Sequence, residues 1–266
     1  MFFADAVGNE PSTNVQVAPI DGSESSVYNA AKFMVDAFWL QSPQQLIQTP
    51  DDSIPEISEP VKSKLITQQA DDLMKKYGER LGKRKLDACL LVALDCGDIG
   101  GTLSSTDNVL GMVTIEVRLL DAGSGDILGA DVSEHMLTQA VASLPPSKRR
   151  EYKNASVMDI VRELLSSEIS AVCSLSNLCV APSARRKGVA AKLCEEAERL
   201  AKEKFGFDEM FLRVEAENEA AKRLYDAKLG YESKFEVISA TALRVDGVSG
   251  AFVEVTSNIA VMSKKL

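Results

Sequence analysis

The sequence predicts one α/β domain built on a mixed, partly antiparallel sheet with helices against it. Three observations carry that prediction. Two early stretches repeat apolar residues at spacings of three and four, as helices do. Later stretches are short apolar runs bounded by Gly, Pro or Asp, as strands are. The order is strand, two helices, two strands, insertion, strand, helix, strand, helix, two strands, which is not the strict alternation of a doubly wound fold.

Residues 1–13 are small and polar and are expected to be a mobile lead-in. Val15 to Val17, followed by Pro19, reads as a short first strand. Residues 28–40 read as a helix, with Ala30, Phe33, Met34, Ala37 and Phe38 forming one apolar stripe. Pro43, Pro50, Pro55 and Pro60 make 41–60 an irregular connection. Residues 61–81 form a second helix, with Leu65, Leu73 and Tyr77 among its apolar positions.

The period then changes. Residues 88–95 and 109–120 are strand-like and read as an antiparallel pair across the Gly-rich stretch 96–101. Residues 121–154 are a polar insertion with a basic run, Lys148 to Arg150, and 156–165 form a short helix. Residues 171–180 are a strong strand that must end at Ala181-Pro182, because Pro lacks the N–H a sheet interior needs. A helix follows over 188–204, with Val189, Leu193, Ala197, Leu200 and Ala201 on one face. Residues 210–216 are a strand, and 217–229 a helix closed by Gly230, a residue suited to a C-terminal cap. Two closing strands, 235–245 and 251–262, flank Asp246-Gly247.

Composition narrows the function. The chain carries 39 Asp plus Glu against 30 Lys plus Arg, a net charge of −9. That acidity argues against a protein that coats nucleic acid, since phosphate binding needs clustered cations. A single His, His135, makes a multi-His metal site or a Ser-His-Asp hydrolase a poor expectation, and no metal is expected. The five Cys include no CxxC pair, and Cys89, Cys173 and Cys179 sit in apolar runs where Cys acts as a small hydrophobe. No apolar stretch approaches the length of a membrane span, so no membrane partner is expected. The start lacks a basic n-region and an apolar h-region, and is too acidic for a complete transit peptide.

Chemistry concentrates at 178–193. A strand ends, a loop presents Arg185, Arg186 and Lys187, and Gly188 opens a helix. A helix N-terminus has free backbone N–H groups and a partial positive charge, and Gly lets a ligand approach the backbone without meeting a Cβ. The segment reads either as a pyrophosphate site or as a solvated basic turn. GxGxxG and GxxxxGK[ST] are both absent. Further on, Asn218 stands where a strand hands over to a helix, a good N-cap position. Tyr225, two helical turns later, is either a packed ring or an acid.

Both pieces resemble motifs of the GNAT superfamily of acetyl-CoA-dependent N-acetyltransferases. Val180-Ala-Pro182 followed by Arg185-Arg-Lys-Gly188-Val-Ala190 resembles the family's V-x-P and [QR]-x-x-G-x-[GA]. Asn218, Ala221, Leu224, Tyr225, Gly230 and Tyr231 resemble its N-x-x-A-x-x-[LF]-Y and G-[FY]. The strand ending in Met262-Ser-Lys-Lys-Leu266 is also similar. Ser176 to Pro182, Tyr77-Gly78 and the FMVDAFW segment resemble plant and algal plastid enzymes that acetylate lysine side chains and protein N-termini. Bacterial ribosomal-protein N-terminal acetyltransferases share the Asn218-to-Tyr225 pattern.

The resemblance implies a single domain over 14–266, with 121–154 inserted and an acetyl-CoA-binding core at 171–231. It implies a mostly antiparallel sheet splayed between its fourth and fifth strands. Backbone groups of Leu178, Cys179 and Val180 would pair with the pantetheine arm and acetyl carbonyl. Arg185, Arg186, Lys187, Gly188, Val189, Ala190 and Ala191 would hold the pyrophosphate. Asn218 would touch the CoA arm, and Tyr225 would protonate the leaving thiolate. Relatives carry a Glu five residues before the Asn; here that residue is Arg213. Glu215 is the candidate base, with Glu116 second. The implied acceptor is a peptide or protein amine, with a small amine or a catalytically silent CoA-binding module as alternatives. The implied compartment is the plastid, otherwise the cytoplasm. The oligomeric state is not specified by the sequence.

Overall fold

The computed structural model describes residues 15–41, 45–47, 57–78, 86–95 and 108–266. The expected lead-in at 1–13, Pro43, Pro50 and Pro55, the second helix past 78, and the Gly-rich stretch 96–101 with Cys96 lie outside these residues.

β1 (Val15–Pro19) is an edge strand, which is why it tolerates Pro19 inside its span. α1 (Glu24–Met34) begins earlier than the apolar stripe predicts. Ser23 caps it by accepting from the Ser26 N–H, so a serine-rich stretch that resembles a loop is the helix start. The last turn, Val35–Trp39, widens to a π-helical turn. α2 (Glu59–Tyr77) also starts early, with Pro60 in its first turn, where a missing N–H costs nothing.

β2 (Ala88–Asp95) and β3 (Val109–Asp121) pair antiparallel, as expected. The polar insertion at 121–154 carries regular structure. It holds β4 (Asp126–Ile127), α3 (Ala130–Ala142) and α4 (Pro146–Glu151), and α5 (Val157–Leu164) follows. Leu137 of α3 and Ile160 and Val161 of α5 pack on Leu119 of β3, a stripe too thin to read through the surrounding polar residues.

β5 (Ile169–Val180), α6 (Val189–Glu203), β6 (Glu209–Glu215) and α7 (Glu219–Arg223) follow. The last of these ends in a second π-helical turn, Leu224–Lys228. β7 (Glu232–Asp246) and β8 (Ala251–Lys265) form a hairpin that extends beyond its predicted open end, while β8 starts at Ala251 as predicted.

The strands make one sheet in the order β1-β2-β3-β5-β6-β8-β7, with β4 added at the end of β3. β5 and β6 pair parallel; the other strand pairs are antiparallel. Side chains alternate across each strand, so two cores form. Val113, Ile115 and Val117 face α6, while Leu90, Val92 and Met112 face α1 and α2.

Two local features aim the site. β5 and β6 pair only from Cys173↔Met210 to Leu175↔Leu212 and then diverge. The splay therefore lies between the fifth and sixth strands, because the two-residue β4 adds one to the count. β5 also bulges against β3: Thr114 pairs Ser176 while Met112 pairs Cys179. Asn177 takes a left-handed φ of 54° there, and its Nδ2 donates to Thr114 Oγ1 at 3.1 Å. A bulge of this kind re-aims the residues that follow it.

Candidate functional site

Past Leu175, no strand among the described residues pairs with the β6-facing edge of β5. Its other edge is engaged by β3, with Val180 opposite Gly111 and Cys179 opposite Met112. Gly111 lets that contact form under α6, since a Cβ there would come 2.9 Å from the Cys179 carbonyl and 3.0 Å from Leu193. Backbone N–H and C=O groups of Leu178 to Val180 thus border the opening between the diverging strands. The Cys179 side chain packs into the α1/α2 core, and burial pushes its thiol up to about 12.

The basic turn closes the strand. A 3₁₀ turn, Pro182–Ala184, is followed by Arg186 at φ 64° and Gly188 at φ 83°. The first hydrogen bond of α6 runs from Lys192 N–H to the Gly188 carbonyl at 3.1 Å. The amides ahead of Lys192 in this turn therefore lack helical acceptors. A Cβ at Gly188 would have no protein atom within 4 Å, so the backbone is open to a ligand there.

A groove of about 610 Å³ lies over this turn. Arg185, Arg186, Gly188, Val189, Ala190 and Ala191 line it, and Lys187 does not. Arg185 Nε is turned back to the Val180 carbonyl at 3.2 Å. Arg223 and Lys228 complete the cationic lining from the opposite wall. Helical spacing hides that pair, because residues five apart share a face only when the helix widens to a π turn, as it does at 224–228. Cationic side chains and free amides around an open Gly backbone fit a pyrophosphate and its nucleotide.

Asn218 caps α7, its Oδ1 accepting from the Ala221 N–H at 3.1 Å. Tyr225 is buried and its ring stands edge-on to Tyr231 at 5.8 Å. Burial, and then nearby Cys194, pushes the Tyr225 phenol well above its usual value, so it keeps its proton.

A second cavity of about 420 Å³ opens on the α1 side of the sheet. Asn218, Tyr225, Glu215 and Leu178 line it, together with Trp39 and three arginines, Arg118, Arg213 and Arg244. The two spaces adjoin. Leu178 faces one and Val180 the other; Ala221 and Tyr225 face one, Ala220 and Leu224 the other.

Glu215, the candidate base, is held by two side chains. Arg244 Nη2 lies 2.5 Å from its Oε2, and Ser257 Oγ donates to the same atom at 3.2 Å. Glu116 lies outside this cavity's lining and binds the Tyr77 hydroxyl and Arg118. His135 is exposed on α3, away from both spaces. The described residues hold no group of three or more His, Cys, Asp or Glu able to bind a metal, and no described helix is long and apolar enough to cross a membrane.

Known proteins match the stretch of chain that holds β5, α6, β6 and α7. Residues 164–231 match the family model of the Acetyltransferase (GNAT) family. The chain is 45% identical over 60 residues to the GCN5-related N-acetyltransferase 7, chloroplastic, of Arabidopsis thaliana, over 23% of this chain and 21% of that protein. It thus spans about a fifth of the length of that curated relative. The fold is shared with Drosophila melanogaster polyamine N acetyltransferase, at TM-score 0.50 and 13% identity over 95% of this chain and 100% of that one. Arabidopsis thaliana NAA60 in complex with acetyl-CoA matches at TM-score 0.48 and 13% identity, over 95% of this chain and 98% of the other.

Proposed function

We propose that this chain, whose residues 164–231 carry the GNAT acetyltransferase signature, moves an acetyl group from acetyl-CoA to a primary amine of a peptide or protein. The acceptor would be an N-terminal α-amine or a lysine side chain, and transfer would be direct, within a ternary complex. The observation that carries this reading is the divergence of β5 and β6. It joins a cationic groove over the α6 N-terminus to a separate cavity, with Tyr225 at the junction.

The residues divide the work. The Gly188 to Ala191 amides, Arg186, Arg223 and Lys228 hold the phosphates. The open edge of β5 at Leu178 to Val180 orients the pantetheine arm and the acetyl carbonyl. A backbone N–H aimed at the oxygen that becomes negative in attack is worth about 3–4 kcal/mol in a dry site. The amine nitrogen forms a bond to the acetyl carbon, and the carbon–sulfur bond breaks. The nitrogen's proton passes to Glu215, whose two side-chain contacts both fall on Oε2. Tyr225 gives its proton to the departing sulfur. Cys179 is a poor nucleophile, since its buried thiol stays protonated at neutral pH.

The chloroplastic relative supports a plastid location. The test is incubation of the whole chain with acetyl-CoA and peptides bearing either a free N-terminus or a single lysine. Thiol release with mass gain at one amine is expected. Acetyl-CoA binding without thiol release would leave a silent binding module instead.

A further inference from the structure

Three guanidinium groups line the cavity beside Tyr225, and one carboxylate, Glu215, lines it with them. The other two partners, Glu116 and Asp126, stand behind the lining. Arg118 spends Nε and Nη2 on one oxygen, Glu116 Oε2, at 2.8 and 2.6 Å. Arg244 gives Nη2 to Glu215 and Nη1 to the Leu243 carbonyl at 3.0 Å. Arg213 is the least satisfied. Its Nε is 3.0 Å from Asp126 Oδ1, yet this buried atom makes no hydrogen bond. That Asp126 oxygen already accepts from the Ile127 N–H at 2.8 Å.

We propose, building on the acetyltransferase reading above, that this cavity selects acceptor peptides that carry an Asp or Glu next to the reacting amine. A guanidinium presents five N–H donors in a planar fork matched to a carboxylate, and here each fork has donors left over. Burial disfavours the charged form of Arg213, Asp126 opposes that, and the like charge of Arg118 adds to it. A second carboxylate between Arg118 and Arg213 relieves both penalties. The chain's net charge of −9 does not oppose the contact, because exposed charges are screened beyond about 8 Å at physiological salt.

The experiment uses three peptides that share a free N-terminus and differ only in a second residue of Glu, Gln or Lys. Two readouts run in parallel on the whole chain. One is kcat/KM for acetyl transfer. The other is peptide binding without acetyl-CoA, followed by fluorescence of Trp39, the chain's single Trp and part of the cavity wall. The Glu peptide is expected to exceed Gln about tenfold in both, with Lys lowest. Arg213→Gln should shrink the Glu-to-Gln ratio to near one. Asp126→Asn, which removes the competing charge and leaves the lining intact, should hold or raise that ratio. Equal use of Glu and Gln peptides, or a Lys preference, overturns the proposal while leaving the transferase reading in place. Glu-selective binding without transfer to any peptide supports the cavity assignment and overturns the transferase reading.

Discussion

The rings of Tyr225 and Tyr231 meet edge to face, 5.8 Å between centroids and 66° apart. Tyr231 is fully buried, so this contact fixes the Tyr225 ring through packing. Tyr225→Phe keeps that contact and removes only the hydroxyl. We expect kcat to fall about 10²-fold while acetyl-CoA affinity stays within about twofold. Thiol release and calorimetry check it; unchanged turnover removes the acid role.

Gly188 holds φ 83° with open space where a Cβ would stand. Gly188→Val should therefore act in two ways. The left-handed backbone costs about 1–2 kcal/mol of stability, seen in denaturant unfolding. The side chain also enters the phosphate groove and should weaken acetyl-CoA binding by more than tenfold. Stability loss with unchanged affinity would remove the pyrophosphate assignment.

Burial alone would raise the Glu116 carboxyl, but Arg118 and the Tyr77 hydroxyl outweigh it and hold it below the usual 4.5. A lowered folded value means the stabilisation is complete above about pH 4.5 and is lost as the pH falls through the folded value. Glu116→Gln should destabilise the protein by about 3 kcal/mol at pH 7, since it leaves Arg118 without its charge partner. The variant should also lose less stability than the parent between pH 5 and about pH 3. Parallel pH curves for the two proteins would count against this account.

Leu137 is fully buried between α3 and the sheet. Leu137→Ala should cost about 2–5 kcal/mol of unfolding free energy. Acetyl-CoA affinity should not move, because the groove over α6 shares no lining residue with α3. A parallel loss of affinity would mean that the insertion supports the donor groove.

The donor half of the site was legible because it is local. Strand end, basic turn, Gly188 and helix start run consecutively, and Asn218 and Tyr225 lie on one short helix. Arg223 and Lys228 escaped that reading because a π turn changes the helical phase between them. The acceptor half was not legible. Arg118, Arg213 and Arg244 come from β3, β6 and β7, and only the strand order brings them to one cavity. The pairing of Glu215 with Arg244 is hidden in the sequence because the two residues stand 29 positions apart. The helices of the insertion are hidden in its polar sequence because their apolar contacts are few and fall on β3, made earlier in the chain.

The bulge at Asn177 carries one more implication. It places one extra residue of β5 opposite β3, so side chains before and after it keep different parity. Deleting that residue would leave Cys179 opposite Met112 and Val180 opposite Gly111, in a ladder without the bulge, so their facing would stay as it is. What the deletion would remove is the local bend of β5 and the left-handed turn at Asn177, just past the point where β5 and β6 part. The number of residues in β5 at this point, and not only their side chains, therefore sets how the strand leaves its neighbour.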